Sequence, residues 1–119
     1  MFEQSKTINT SLNQVPAQVK VINWGKHKKH MVLDYGAGKY PQRVQDYLRE
    51  EGVTWIESYD PYNSEINKSA EGTFDVVLCS NVLNVLSNDM YLHDVLFDVA
   101  DHVHNTGVAY IQIYLGDKT

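Results

Sequence analysis

A single cysteine, Cys79, stands among 119 residues, so no disulfide can form within the chain and a four-thiolate metal site is excluded. No apolar run approaches the roughly 18 residues that a membrane-spanning helix needs. The opening stretch MFEQSKTINTSLNQ lacks the apolar core of a secretory leader. Basic residues are scarce as well: 10 Lys and Arg against 15 Asp and Glu give a formal net charge of −5. Proteins that hold nucleic acids or anionic membrane surfaces generally carry the opposite balance. These absences set the expectation of a reducing, cytoplasmic setting with no membrane partner.

What is present suits one globular domain. Hydrophobic residues make up 43% and charged residues 21%, and the length is enough to bury a core. Residues 1–14 are polar and turn-rich, a flexible N-terminal arm. Val15–Trp24 fits a short helix entered at Pro16, because proline's missing N–H has no partner in a first helical turn. GKHKKH at 25–30 reads as a solvated, charged loop. Met31–Asp34 fits a buried parallel strand. Pro41 opens a helix carrying Val44, Tyr47 and Leu48, and Gly52 closes it.

Val53–Tyr59 reads as a second strand, ended by the turn signal DPYN. FDVVLC at 74–79 is the clearest strand of all. A longer helix capped by Ser87 or Asn88 carries apolar residues at 92, 95, 96, 99 and 103, and HNTG at 104–107 ends it. His93, His102 and His104 fall on its surface. Val108–Leu115 forms the last strand, with Ala109, Ile111, Ile113 and Leu115 on one face. Strands alternating with helices predict an α/β fold: a small, mostly parallel sheet with helices on both faces.

In such a sheet, ligands bind beyond the carboxyl ends of the strands, where strand order reverses. Three strand ends carry polar or flexible groups: DYGAGK, YDPYN and CSNVLN. Gly36 and Gly38 allow a tight turn and close approach to a ligand, and a helix N-terminus follows. Asp60 lies about 22 residues beyond Gly38, the spacing at which a carboxylate meets ribose hydroxyls. It also fits a simple turn before Pro61. The dinucleotide pattern G-x-G-x-x-G fails, because its third glycine position is Pro41. Asp34 would repel a pyrophosphate but hold a cationic amine, which favours a cofactor with an adenosine and an amino acid.

In these residues the chain resembles the class I S-adenosylmethionine-dependent methyltransferases. VLDYGAG is similar to their first motif, YDPYN to the ribose-binding acid, and FDVVLCSNVLNVL to the strand and loop facing the reacting methyl group. NTSL, LDYGAGKY, YDPYN, SNVLNV and YLGDKT together resemble a phage-type and bacterial group of methyltransferase-like proteins, over nearly the whole chain.

The resemblance implies a Rossmann-like core with S-adenosylmethionine as cofactor. Asp34, Gly36, Ala37 and Gly38 would border its methionyl end, and Asp60 its ribose. Pro61 and Tyr62 would lie near the adenine, and Ser80, Asn81 and Val82 beneath the methyl group. Ser80 and Asn81 are the catalytic candidates, Asn81 as acceptor of a hydrogen bond from a substrate amine or hydroxyl, although Asn81 fits a helix cap equally well. Tyr40 replaces a glycine common in the family and would narrow the loop or cover the cofactor.

Only about a dozen residues separate DPYN from FDVV, where the family fits a further helix and strand. The family's C-terminal antiparallel hairpin is also lacking. Val108–Leu115 is therefore expected at a sheet edge, so that the chain is either part of a longer enzyme or self-associates along that edge. Two alternatives accompany the methyltransferase reading: a non-catalytic S-adenosylmethionine-binding or protein-interaction module, and another nucleotide-binding Rossmann-like domain. Cys79 reads as a core residue, and no metal site is expected. SNVL lacks the Asn/Asp-Pro-Pro-aromatic pattern of amino-directed DNA methylases, and the acceptor is otherwise left open.

Overall fold

Residues 15–61, 63–68, 72–80 and 89–112 are described by the computed structural model. Four strands form one sheet in the order β2-β1-β3-β4, and every pairing is parallel. They are β1 (Met31–Tyr35), β2 (Trp55–Tyr59), β3 (Phe74–Cys79) and β4 (Val103–Ile111). The helices are α1 (Ala17–Val21), α2 (Pro41–Glu50) and α3 (Asp89–Asp101), and a 3-10 turn spans Trp24–His27. Helix α2 links β1 to β2, and α3 lies between β3 and β4.

The chain steps outward from β1 to β2 on one side, then returns to β3 on the other. Strand order therefore reverses between β1 and β3. Crossovers of one hand running in opposite directions place their helices on opposite faces, and the two cores show this. On one face Val44 and Leu48 of α2, with Val19 and Trp24, pack on Val32, Val76 and Leu78. On the other, Val95 and Val99 of α3 pack on Leu33, Tyr35, Val77 and Cys79. Each such side chain, once fully buried, contributes roughly 1.5–3 kcal/mol of transfer free energy.

Helix α2 begins with Pro41 in its first turn, and its Gly52 stop has φ 101° with the Gly52 N–H donating to Arg49 O at 3.0 Å. Strand β2 starts at Trp55, two residues later than the sequence suggests. Within the GKHKKH stretch Gly25, Lys26, Lys28 and Lys29 are exposed, as a solvated connection requires, but His27 is buried together with Trp24 before it. His27 Nδ1 lies 2.9 Å from His30 Nδ1, and its Nε2 lies 3.1 Å from Tyr110 Oη. Burial, then the neighbouring His30 and Lys26, holds the His27 pKa below its ordinary value, against an opposing pull from Asp75.

The largest departure is at β4, which starts at Val103 instead of Val108. Val103 belongs to the strand and not to the helix, and HNTG lies within the strand. Phe74 pairs with Val103 and Val76 with Val108, so β3 advances two residues while β4 advances five. The surplus is a bulge. Gly107 permits it, since a Cβ there would sit 2.7 Å from Asp75 O.

His102 is buried, not on the surface: its Nδ1 donates to Asp98 O at 2.7 Å and its carbonyl accepts from Phe74 N. Among the described residues β2 and β4 are the sheet edges, and β4 leaves Val108 and Ile111 partly exposed. No helix among the described residues is long and apolar enough to cross a membrane. Residues 1–14, Ser87, Asn88, Ile113 and Leu115 lie outside the described residues.

Candidate functional site at the carboxyl ends of the strands

The glycine loop leaves β1 and folds over the end of β2. Gly36 N–H and Ala37 N–H both donate to Tyr59 O, at 2.7 and 3.1 Å. Gly38 N–H donates to Asp60 Oδ2 at 2.7 Å. Gly36 and Gly38 have φ of 75° and 80°, a left-handed conformation that a Cβ disfavours. Asn63 completes the lock, donating from Nδ2 to Gly38 O at 2.7 Å. The turn after β2 is closed by Asp60 N–H on Ile66 O and Asn63 N–H on Asp60 O.

Beneath this loop sit two buried acids, Asp34 at the end of β1 and Asp60 just past β2. Asp60 is fully inaccessible, and Asp34 Oδ2 is buried with no hydrogen-bond partner. Burial, and secondarily the charge of Asp60, raise the Asp34 carboxyl pKa to about 7. A carboxyl group in that state is poised between acid and anion near neutral pH. Cys79, on the neighbouring strand, is a buried core thiol whose pKa is pushed up to about 12 by burial and then by Asp34.

Ser80, immediately after β3, is also buried. Gln18 of α1 reaches it: Nε2 donates to Ser80 Oγ at 3.1 Å and to Tyr110 O at 3.0 Å. Gln18 therefore ties the ends of β3 and β4 together. Nothing in its sequence context marks it, since one glutamine on a short helix carries no recognisable spacing.

Tyr35 points to the opposite face, where its hydroxyl donates to Asp98 Oδ2 at 2.6 Å and its ring meets Tyr59 edge-on. Burial and the Asp98 carboxylate raise its pKa well above the usual phenol value.

The structure thus ties Gly36, Ala37 and Gly38 to the end of β2 and to Asp60, with Asp34 buried close by and Ser80 on the adjoining strand end. Tyr40 stands at the N-cap position of α2 without a side-chain cap bond, partly exposed, with Lys39 Nζ 5.9 Å from its ring centre. Pro61 is exposed. Tyr62, Asn81 and Val82 lie outside the described residues. Among the described residues, no group of three or more His, Cys, Asp or Glu is arranged to hold a metal ion. An apolar groove lined by His93, Leu96, Phe97 and Ala100 runs along α3 and includes none of the cluster.

Compared with known proteins, the chain matches no family model, no curated protein and no solved structure.

Proposed function

We propose that this chain is the cofactor-binding core of an S-adenosylmethionine-dependent methyltransferase, built on a Rossmann-like sheet. The observation that carries the reading is the buried, unpartnered Asp34 Oδ2 beneath a glycine loop at the point of strand reversal. A buried acceptor without a donor is costly unless a ligand satisfies it. The fitting partner is a cation or a strong donor, and the ammonium group of a methionyl moiety is one. The loop argues against a phosphate in the same place. Its first three N–H groups are already donated to Tyr59 O and Asp60 Oδ2, so they are not arranged as an anion cradle.

When bound, S-adenosylmethionine supplies a methyl group on a positively charged sulfur, already activated for displacement. The protein's part is orientation and exclusion of water. Asp34, its proton lost to solvent, would hold the ammonium group of the methionyl moiety beneath the loop. Asp60, which accepts from Gly38 N–H, would also hold the ribose hydroxyls. Gln18 fixes the Ser80 hydroxyl at the floor of the site.

Calorimetric titration with S-adenosylmethionine, S-adenosylhomocysteine and NAD tests the reading. Binding of both sulfur ligands at one site per chain, without NAD binding, is the expected result. Failure of both sulfur ligands to bind would overturn it. Binding without methyl transfer to any acceptor would favour a non-catalytic S-adenosylmethionine-binding module.

A further inference from the structure

Residues 15–30 form a strap across the α2 face of the sheet, and Tyr110 of β4 holds that strap at two points. At one, Gln18 Nε2 donates to Tyr110 O at 3.0 Å and to Ser80 Oγ at 3.1 Å. At the other, Tyr110 Oη lies 3.1 Å from His27 Nε2. Between them Val19 and Trp24 are buried against Val32, Val76 and Leu78, and Trp24 Nε1 donates to Val19 O at 2.8 Å. The His27 ring stands edge-on to both Trp24 and Tyr110, and its other nitrogen, Nδ1, lies 2.9 Å from His30 Nδ1.

The two contacts of His27 differ in what they demand. Tyr110 Oη can give or take a hydrogen bond, so the contact at Nε2 survives in either tautomer. The contact between like nitrogens is stricter, because one must carry hydrogen and the other must present a lone pair. The ring centroids are 5.1 Å apart, so the nitrogens point almost straight at one another. When both rings are neutral the bond forms either way round. When one ring is charged it still forms, since the imidazolium donates and the neutral ring accepts. When both are charged, two N–H groups oppose each other and neither has an acceptor.

We propose that the His27–His30 pair is a proton-operated latch: uptake of the second proton, which leaves both rings as imidazolium, frees residues 24–30 from Tyr110 and slackens the Gln18 tie to Ser80 beneath the candidate site. The groups around His27 set its bias. Burial opposes a charge there, as do His30 and Lys26 on its own segment, whereas Asp75 of β3 favours one. Asp75 is partly committed elsewhere, because its Oδ2 accepts from Met31 N–H at 2.9 Å. Tyr110 of β4 is the remaining titratable group in contact with the ring. Release therefore falls below the ordinary histidine pKa of about 6.5. Over the same acid range a protonated Asp34 stabilises the fold, so the sheet persists while the strap lets go. The latch acts on Ser80 whatever ligand the site takes.

Acid titration of the full chain tests this on a Trp55→Phe background, which leaves Trp24 as the single tryptophan. Trp24 emission is expected to move to the red in one reversible step below pH ~6.5. The far-ultraviolet dichroism should stay unchanged, and the Ser80 amide resonance should shift with the same midpoint. Imidazole nitrogen resonances should show one protonated Nδ1 in the pair at neutral pH and two beyond the step. His30→Asn should abolish the step, because a carboxamide cannot take a charge and its oxygen accepts from a charged His27.

The same step in His30→Asn would overturn the proposal. So would full protonation of both rings with Trp24 and Ser80 unmoved. Loss of the dichroism together with the Trp24 shift would also overturn it, since the change would then be global unfolding. If His30→Asn does not fold, the imidazole resonances of the unsubstituted pair, read against Trp24 and Ser80, decide alone.

Discussion

The carboxylate of Asp60 accepts a hydrogen bond from Gly38 N–H at 2.7 Å across 22 residues of sequence. That bond joins the end of β2 to the loop leaving β1, so the acid proposed to meet a ribose also shapes the glycine loop. Asp60→Ala leaves a buried N–H without its acceptor and should cost about 2–3 kcal/mol, the usual range for a charge-assisted bond. Asp60→Asn keeps an acceptor oxygen and should cost less. Urea unfolding measures both, with the exposed Asp101→Ala as a control expected to change little.

Asp34 gives stability a dependence on pH with a definite sign. Its carboxyl pKa is raised from 3.8 to about 7 in the folded protein. Between those values the folded state keeps a proton that the unfolded chain has lost. This contribution is complete below pH ~4, declines as pH rises, and is gone above pH ~7, a change of up to ~4 kcal/mol. Asp34→Asn cannot ionise, so its thermal midpoint should not fall over that range and should exceed the wild type's at pH 8. His27 acts in the opposite direction. Its lowered pKa makes stability fall as pH drops below ~6.5, and that acid limb should persist in Asp34→Asn.

Gly107 tests the bulge in β4. A methyl group there would lie 2.7 Å from Asp75 O and 3.0 Å from Phe74 O, both backbone atoms that cannot step aside. Gly107→Ala should therefore destabilise by about 1–3 kcal/mol through overpacking. Gly72 differs, with nothing within 4 Å and a φ of +83°. Gly72→Ala should cost about 1 kcal/mol from backbone strain alone. Chemical denaturation that ranked the two in reverse would show that β4 has another register.

Much of this architecture was legible in the residues. MVLD and FDVVLC are apolar runs too short for helices and bounded by turn chemistry, and both are central strands. Pro41 and Gly52 bracket α2 because one lacks an N–H and the other tolerates positive φ. The bulge hid the start of β4, since HNTG carries the composition of a turn and becomes strand only by pairing with Phe74. His27 and His102 are buried amid polar sequence neighbours, which say nothing of a partner 83 residues away, as Tyr110 is from His27. The meeting of Gly36, Gly38 and Asp60 followed from spacing. The contacts of Gln18 with Ser80 and Tyr110 did not, because they arise from the packing of α1.

An adenosyl ligand bearing a cationic amine is proposed to bind where β1, β2 and β3 end. Amide chemical-shift mapping of the full chain during titration with S-adenosylhomocysteine measures this directly. Saturable shifts are expected at Gly36, Ala37, Gly38, Asp60 and Ser80, with Trp55 and Phe97 unmoved. A spectrum unchanged at saturating ligand, or shifts confined to residues outside that cluster, would contradict it.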